Sequence, residues 1–213
     1  MPLYTTDALI LRTYKLGESD RIVVFLTRDR GKKRGVARNA RQSRRRFGGA
    51  LEPMTCGRVA YVERERRELV SLHYVEPTRS PLSAADGDAL GYVGYFAELI
   101  DEWAPEASPN EMLFRLGASM VDAMAAGVPT EPLARYFEYW LLRLEGVYEP
   151  DASLSDEARV FLESARTSSP FGLTGLAVSP GALRELEMRH RELISMYLEK
   201  ELRSTRVLRD LRR

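Results

Sequence analysis

Cysteine and histidine are nearly absent from this chain. Its 213 residues hold one cysteine, Cys56, and two histidines, His73 and His190. A disulfide within the chain is excluded. A zinc site of the usual Cys/His kind needs about four ligands and has too few candidates here. The expected compartment is the reducing cytoplasm. Long apolar runs are also missing. Ala8–Leu11 and Ile22–Leu26 are among the longest, far short of the roughly 20 residues a membrane helix needs, so no membrane association is expected. Met1–Pro2–Leu3–Tyr4 shows no basic segment followed by an apolar one, so a secretion signal is not expected.

Catalytic signatures are missing as well. Gly31–Lys32–Lys33 lacks the upstream glycine and the following Ser/Thr of a phosphate-binding loop. No G-x-S-x-G or H-E-x-x-H occurs. Cys56, in a strand-like segment, reads as a small buried hydrophobe. His73 and His190 read as packed or surface residues rather than bases. Glu98, Asp101 and Glu102 could share a helix face, and an acidic surface explains them more simply than a metal-dependent nuclease. Neither enzymatic activity, a cofactor nor a metal is expected.

What is present is the composition of a folded chain with a divided charge. Hydrophobic residues make up 44% and charged residues 30%. Residues 1–80 hold 18 Lys+Arg against 9 Asp+Glu, and residues 81–213 hold 14 against 22. Such a split points to a polyanion partner for the first half, and the two halves could attract each other.

Residues 1–80 read as five short strands. Leu3–Tyr14 is β-rich, with Leu9 and Leu11 on one face. Ile22–Leu26 is apolar on both faces, as in a central strand. Gly31–Ala40 would carry basic side chains, and Met54–Val62 with Leu69–Val75 form a hairpin whose charged tip, Glu63–Glu68, is solvated. Five strands in this length fit a small barrel, which protects its edges. Residues 81–213 change to a helical period. Leu90, Val93, Ala97, Ile100 and Ala104 form a first stripe. Ser108–Pro109–Asn110–Glu111 starts a second helix, with Ser108 as cap. Leu133–Leu144, Ser155–Ala165 and a helix opening at Ser179–Pro180 follow, then a basic tail from Arg203. The fold class is thus α+β: a strand domain over 1–80 and a helical domain over 81–213.

The strongest local feature is the run Arg28–Arg46, with ten basic residues against Asp29 alone. Lys32, Lys33, Arg34, Arg38, Arg41, Arg44, Arg45 and Arg46 in this run are candidates for nucleic-acid phosphates, which such clusters bind through counterion release. Arg12 and Arg21 flank the turn Gly17–Asp20 and could extend the same surface. Phe47 suits the barrel core or, less economically, stacking on a base. The aromatic set Tyr92, Tyr95, Phe96, Trp103, Tyr136, Phe137, Tyr139 and Trp140 reads as helix-bundle core, with a peptide groove as the alternative. The basic tail is a solvated helix end or a second polyanion contact.

Several segments in order also resemble the bacterial RecO family. These are Ala8–Arg12, Gly17–Ile22, Thr27–Lys32, Arg34–Arg38 and Arg45–Pro53, with a looser likeness to residue 147 and a further one over Leu141–Pro150. The resemblance implies an N-terminal five-stranded OB-fold barrel and a C-terminal all-helical domain. It implies a DNA repair and recombination mediator that binds single- and double-stranded DNA and anneals complementary strands. It implies partnership with RecR and with single-strand binding protein (SSB), helping RecA onto SSB-coated DNA. In such proteins the basic barrel face carries DNA, a role that maps onto Arg34 and Arg38 and, more loosely, onto Lys32, Arg41 and Arg44–Arg46. Many family members carry a four-cysteine zinc site after the position of Gly146–Pro150. Residues 148–178 here contain no cysteine, so packing, for example of Phe161 and Phe171, must hold that segment. The other classes kept open are an RNA-binding or ribosome-associated protein and a protein adaptor with weak DNA affinity.

Overall fold

The computed structural model of the chain describes residues 2–64, 68–83, 87–149 and 153–211. Five strands come first: β1 (Leu3–Leu16), β2 (Asp20–Thr27), β3 (Gly31–Ala37), β4 (Cys56–Val62) and β5 (Val70–Arg79). They close into a barrel in the order β1-β2-β3-β5-β4, with β4 returning to β1. All pairs are antiparallel except β3 with β5. This is the five-stranded barrel of the OB-fold. Among the described residues, α1 (Arg44–Phe47) lies between β3 and β4. α2 (Gly87–Trp103), α3 (Glu111–Ala125), α4 (Thr130–Leu144), α5 (Asp156–Thr167), α6 (Pro180–Leu198) and α7 (Arg203–Leu211) follow the barrel.

Alternation along the strands builds two cores. Ala8, Ile10, Val23, Phe25, Val59, Tyr61 and Leu72 fill the barrel, where the rings of Phe25 and Tyr61 meet edge to face with centroids 5.7 Å apart. Phe47, Ala50 and Leu51, from α1 and the chain after it, belong to the same core. The opposite faces of β1 and β2 present Leu9, Leu11, Val24 and Leu26 to the helices. Fully burying a Leu side chain stabilises by about 1.5–3 kcal/mol, so the contact of β1 and β2 with the helices is strong. Gly117 on α3 permits it, because a Cβ there would lie 2.7 Å from Leu9 Cδ2 and 2.8 Å from Ile100 Cδ1. The apolar character of Ile22–Leu26 on both faces therefore has a direct cause: one face looks into the barrel and the other looks toward the helices.

Several helix details differ from the sequence reading. Leu90 is half exposed, whereas Val93, Ala97, Ile100 and Ala104 of the expected stripe are buried, joined by Ala89, Tyr92 and Phe96. The cap of α3 is Asn110, whose side chain accepts from Leu113 N at 3.0 Å. Ser108 lies two residues before that cap, with its backbone packed against Gly31 on β3. The aromatic set lies in the helical core, with Trp140 packed at its edge. Phe47 is buried in the barrel and is not placed for stacking. Phe161 is buried as expected, but Phe171 is exposed.

Two junctions hold the later helices. Ser155 and Ser179 cap α5 and α6, each side chain accepting from the backbone N–H three residues on. Their own N–H and hydroxyl groups donate across to the other helix, Ser155 to Glu185 and Ser179 to Glu157. The result is a reciprocal pair of caps that binds the two helix starts together. α7 is docked by Glu98 on α2, whose carboxylate accepts from the N–H groups of Arg203 and Ser204 at 3.0 and 2.7 Å. An acid at a helix N-terminus also complements the dipole.

Candidate nucleic-acid interface

Strand register determines which basic side chains share a surface. On the outer face of the barrel, Leu9, Leu26 and Lys32 align across β1, β2 and β3. Arg12, Val24 and Arg34 form the next row, and Tyr14, Ile22 and Val36 the row after it. The irregularity between Ile10 and Arg12 brings Arg12 and Tyr14 to this face. Leu9 and Leu26 lie in the core shared with the helices, and Val24 of the second row is buried there too. In the third row Tyr14 is 45% exposed, and Ile22 and Val36 are half-buried. Arg38 follows β3 and is exposed.

This surface continues toward β5. A groove of about 350 Å³ is lined by Val36, Arg38, Arg64, Leu69 and Ser71, among others. Arg64 was not singled out from the sequence, where it sits in a charged hairpin tip. Residues 65–67 of that tip lie outside the described residues. The strand 2–3 face together with the loops beside it is where OB-folds bind oligonucleotides.

The expected site residues fall into three groups. Arg12, Arg34 and Arg38 lie on or beside the outer face. Arg12 donates to the Tyr14 hydroxyl at 3.0 Å and pairs with Asp101 at 3.2 Å. Burial opposes its charge, but Tyr14 and Asp101 outweigh that and hold its pKa above the ordinary value. Arg34 pairs with Glu106 at 2.7 Å while remaining 55% exposed.

The second group lies at the turn after β3. Arg41 and Arg45 are exposed. Arg41 is tied to the β1–β2 turn, donating from its side chain to Glu18 O at 2.9 Å and from its backbone to Ser19 O at 3.2 Å. Asp20 accepts from Asn39 N at 2.8 Å, so the two turns are held together. Arg46 donates to Arg38 O and Ser43 Oγ, and its guanidinium lies 5.0 Å from the centre of the Phe47 ring. Arg44 opens α1, and its side chain lies outside the described residues.

The third group turns away. Lys32 is 9% exposed, bonded to Asp101 O and 3.3 Å from the Asp101 carboxylate. It ties the barrel to α2 and does not present its charge to a ligand. Lys33 and Arg21 lie on the opposite face of their strands, where Lys33 pairs with Glu63 at 2.6 Å and Arg21 reaches Thr13 at 3.4 Å. Cys56 is buried, and burial pushes its thiol up to about 11, which leaves it unreactive at neutral pH. It is the chain's one cysteine, so a four-thiolate zinc site has no ligand set here.

Comparison with known proteins agrees with this architecture. The family model described as "Recombination protein O N terminal" matches residues 1–81, and "Recombination protein O C terminal" matches residues 84–212. Curated relatives that match the chain carry the name DNA repair protein RecO, among them three from different genera. The one from Koribacter versatilis (strain Ellin345) is 43% identical over 150 residues, 70% of this chain and 61% of that protein. The one from Anaeromyxobacter sp. (strain K) is 42% identical over 141 residues, 65% of this chain and 55% of that protein. The one from Geobacter metallireducens is 40% identical over 142 residues, 66% of this chain and 57% of that protein. The match therefore spans less than two thirds of the length of each.

Proposed function

Because the chain belongs to the recombination protein O family, we propose that it serves DNA repair by binding DNA strands through the outer face of β1–β3. The observation that carries this reading is the row Tyr14–Ile22–Val36, left open beside Arg12, Arg34 and Arg38. An exposed ring offers a stacking surface, and the arginines offer phosphate contacts without sequence readout. The relatives' printed name supports the same reading.

The finer proposal is electrostatic and non-catalytic. Arginines hold the phosphates of one strand and reduce repulsion, and a complementary second strand pairs with it. Single- and double-stranded DNA both bind. Cooperation with RecR in loading RecA onto SSB-coated DNA completes the role, and the cytoplasm is its compartment. Among the described residues no helix is long and apolar enough to cross a membrane.

Fluorescence anisotropy on a labelled single strand across a salt series, followed by annealing to its unlabelled complement, tests this reading. For roughly five phosphate contacts, log K falls by about 3.5 per unit of log salt. The pair Arg34→Ala and Arg38→Ala weakens binding on every sequence and makes that slope shallower by about 1.4. Absence of binding at low salt, or an unchanged slope in the double variant, overturns the assignment. A matched RNA strand that outcompetes DNA moves the reading to RNA.

A further inference from the structure

The helical half contains a basic cavity that the barrel face does not use. It lies between α2, α4, α6 and α7 and measures about 280 Å³. Arg135, Arg184, Arg191 and Arg209 line it, against two carboxylates, Glu138 and Glu187.

Both oxygens of Glu138 are already engaged. Its Oε1 accepts from the Tyr95 hydroxyl at 2.7 Å and from Arg135 Nη2 at 2.9 Å, and its Oε2 lies 3.0 Å from His190 Nδ1. Arg135 is not saturated. Its side chain is 4% exposed, and Nε and Nη1 have no hydrogen-bond partner among the described residues. Glu187 comes only to 3.6 Å from Nη1, too far for a hydrogen bond. Buried N–H groups without acceptors are costly, so an added acceptor is favoured here. Toward the surface, Arg184 and Arg209 are exposed and hold no ion pair among the described residues. Arg191 reaches Glu201 only at 3.7 Å.

We propose that this cavity binds a terminal phosphate group, carried by a free nucleotide or by the phosphorylated end of a strand. A terminal phosphate has three outer oxygens and a charge of about −1.5 to −2, which suits several guanidinium forks at once. A backbone phosphodiester is flanked by sugars on both sides. The cavity volume, below the roughly 300–1,000 Å³ of small-molecule sites, does not admit both. Glu187, whose side chain is 31% exposed, swings outward as the phosphate arrives. The phosphate then supplies the acceptors that Arg135 lacks, and Arg184 and Arg209 close over it. None of these residues belongs to the barrel face, so the proposal does not depend on the function assigned to that face.

Calorimetric titration of the full chain with dAMP at low ionic strength, with deoxyadenosine as the control, tests it. dAMP is expected to bind saturably at one site while deoxyadenosine does not. Arg184→Ala with Arg209→Ala, both at exposed positions, weakens dAMP at least tenfold. Glu187→Gln, which removes a competing carboxylate, tightens it two- to threefold. The same titration in the Arg34→Ala, Arg38→Ala protein retains dAMP binding, which separates this cavity from the barrel face. A 5′-phosphorylated oligonucleotide binding at least threefold tighter than its 5′-hydroxyl twin assigns the strand end as the source. Equal affinity of the twins, with dAMP still bound, assigns the free nucleotide. Equal behaviour of dAMP and deoxyadenosine, or dAMP binding untouched by the double arginine variant, overturns the proposal.

Discussion

Arg34 Nη2 and Glu106 Oε1 stand 2.7 Å apart where the barrel meets the helices, and both side chains are more than half exposed. The pair is one of a set. Asp101 serves Arg12 and Lys32, and Glu111 serves Arg28 at 2.9 Å. The charge division of the sequence is therefore partly cancelled across this junction, with helical-half carboxylates standing beside arginines of the barrel face. Residue 106 is held there by the backbone: Lys32 N donates to Pro105 O, and Ala107 N donates to Lys32 O.

Replacing Glu106 by Gln should raise DNA affinity. A phosphate then meets Arg34 without first displacing a carboxylate. The expected gain is about two- to fivefold at low salt, fading as salt screens the contact. Exposed ion pairs contribute only about 0–1 kcal/mol, so folding stability stays within that range. Anisotropy at two salt concentrations, alongside urea denaturation, separates the two effects.

Tyr14→Ala should behave differently from the arginine variants. The ring is exposed on the strand face and makes no large contribution to either core. Loss of base stacking weakens single-strand binding by about 1–3 kcal/mol. The salt dependence stays as it was, because no phosphate contact is lost. A slope that changes as much as in Arg34→Ala would argue against a stacking role.

Gly31→Ala should loosen the junction itself. Gly31 has φ +69°, and a Cβ there would collide with the backbone of Ser108. The expected loss is about 2 kcal/mol or more, from a strained φ combined with a backbone clash. Gly17, with φ +61° and open space around it, provides the control: alanine there costs about 1 kcal/mol. Paired urea melts of the two variants decide the point.

Acid should weaken the helical half in two stages. Burial holds His190 below its ordinary value of 6.5, so the unfolded chain binds the extra proton first. Stability is complete above that pH and declines as pH falls below it. Glu157 lies below its ordinary 4.5 because the Ser179 hydroxyl and N–H donate to it. Its contribution is present above 4.5 and is lost as pH falls further and the carboxylate is protonated. Denaturation midpoints at pH 7.5, 5.5 and 4 should therefore fall in that order, and Glu157→Gln should remove part of the second drop.

Much of this was readable from residue order, because the signals are local. The helix starts at Ser155 and Ser179 follow from a hydroxyl placed before an apolar helical period, although the same signal at Ser108 misplaces the cap of α3, which is Asn110. The buried faces of α3 and α4 follow from the 3.6-residue repeat. The burial of Leu9, Val24 and Leu26 on one face, with Val23 and Phe25 on the other, follows from strand alternation. The basic run was visible, but its division was not. Lys32, Lys33 and Arg34 are consecutive in sequence, yet they end at a helix junction, on the opposite strand face and on the exposed outer face.

Composition and periodicity by themselves determined that this chain has a basic barrel half and an acidic helical half. Those properties are summed over neighbouring residues. Tertiary structure decided which cations face a ligand. Simple alternation from Leu9 and Leu11 would have turned Arg12 and Tyr14 to the other face of β1. The irregularity after Ile10 reverses that parity, because one extra residue in a strand switches every side chain beyond it to the opposite face. Barrel closure and helix packing then cover one end of the outer face and leave Tyr14, Arg34 and Arg38 open, and no local signal in the sequence encodes where that cover stops.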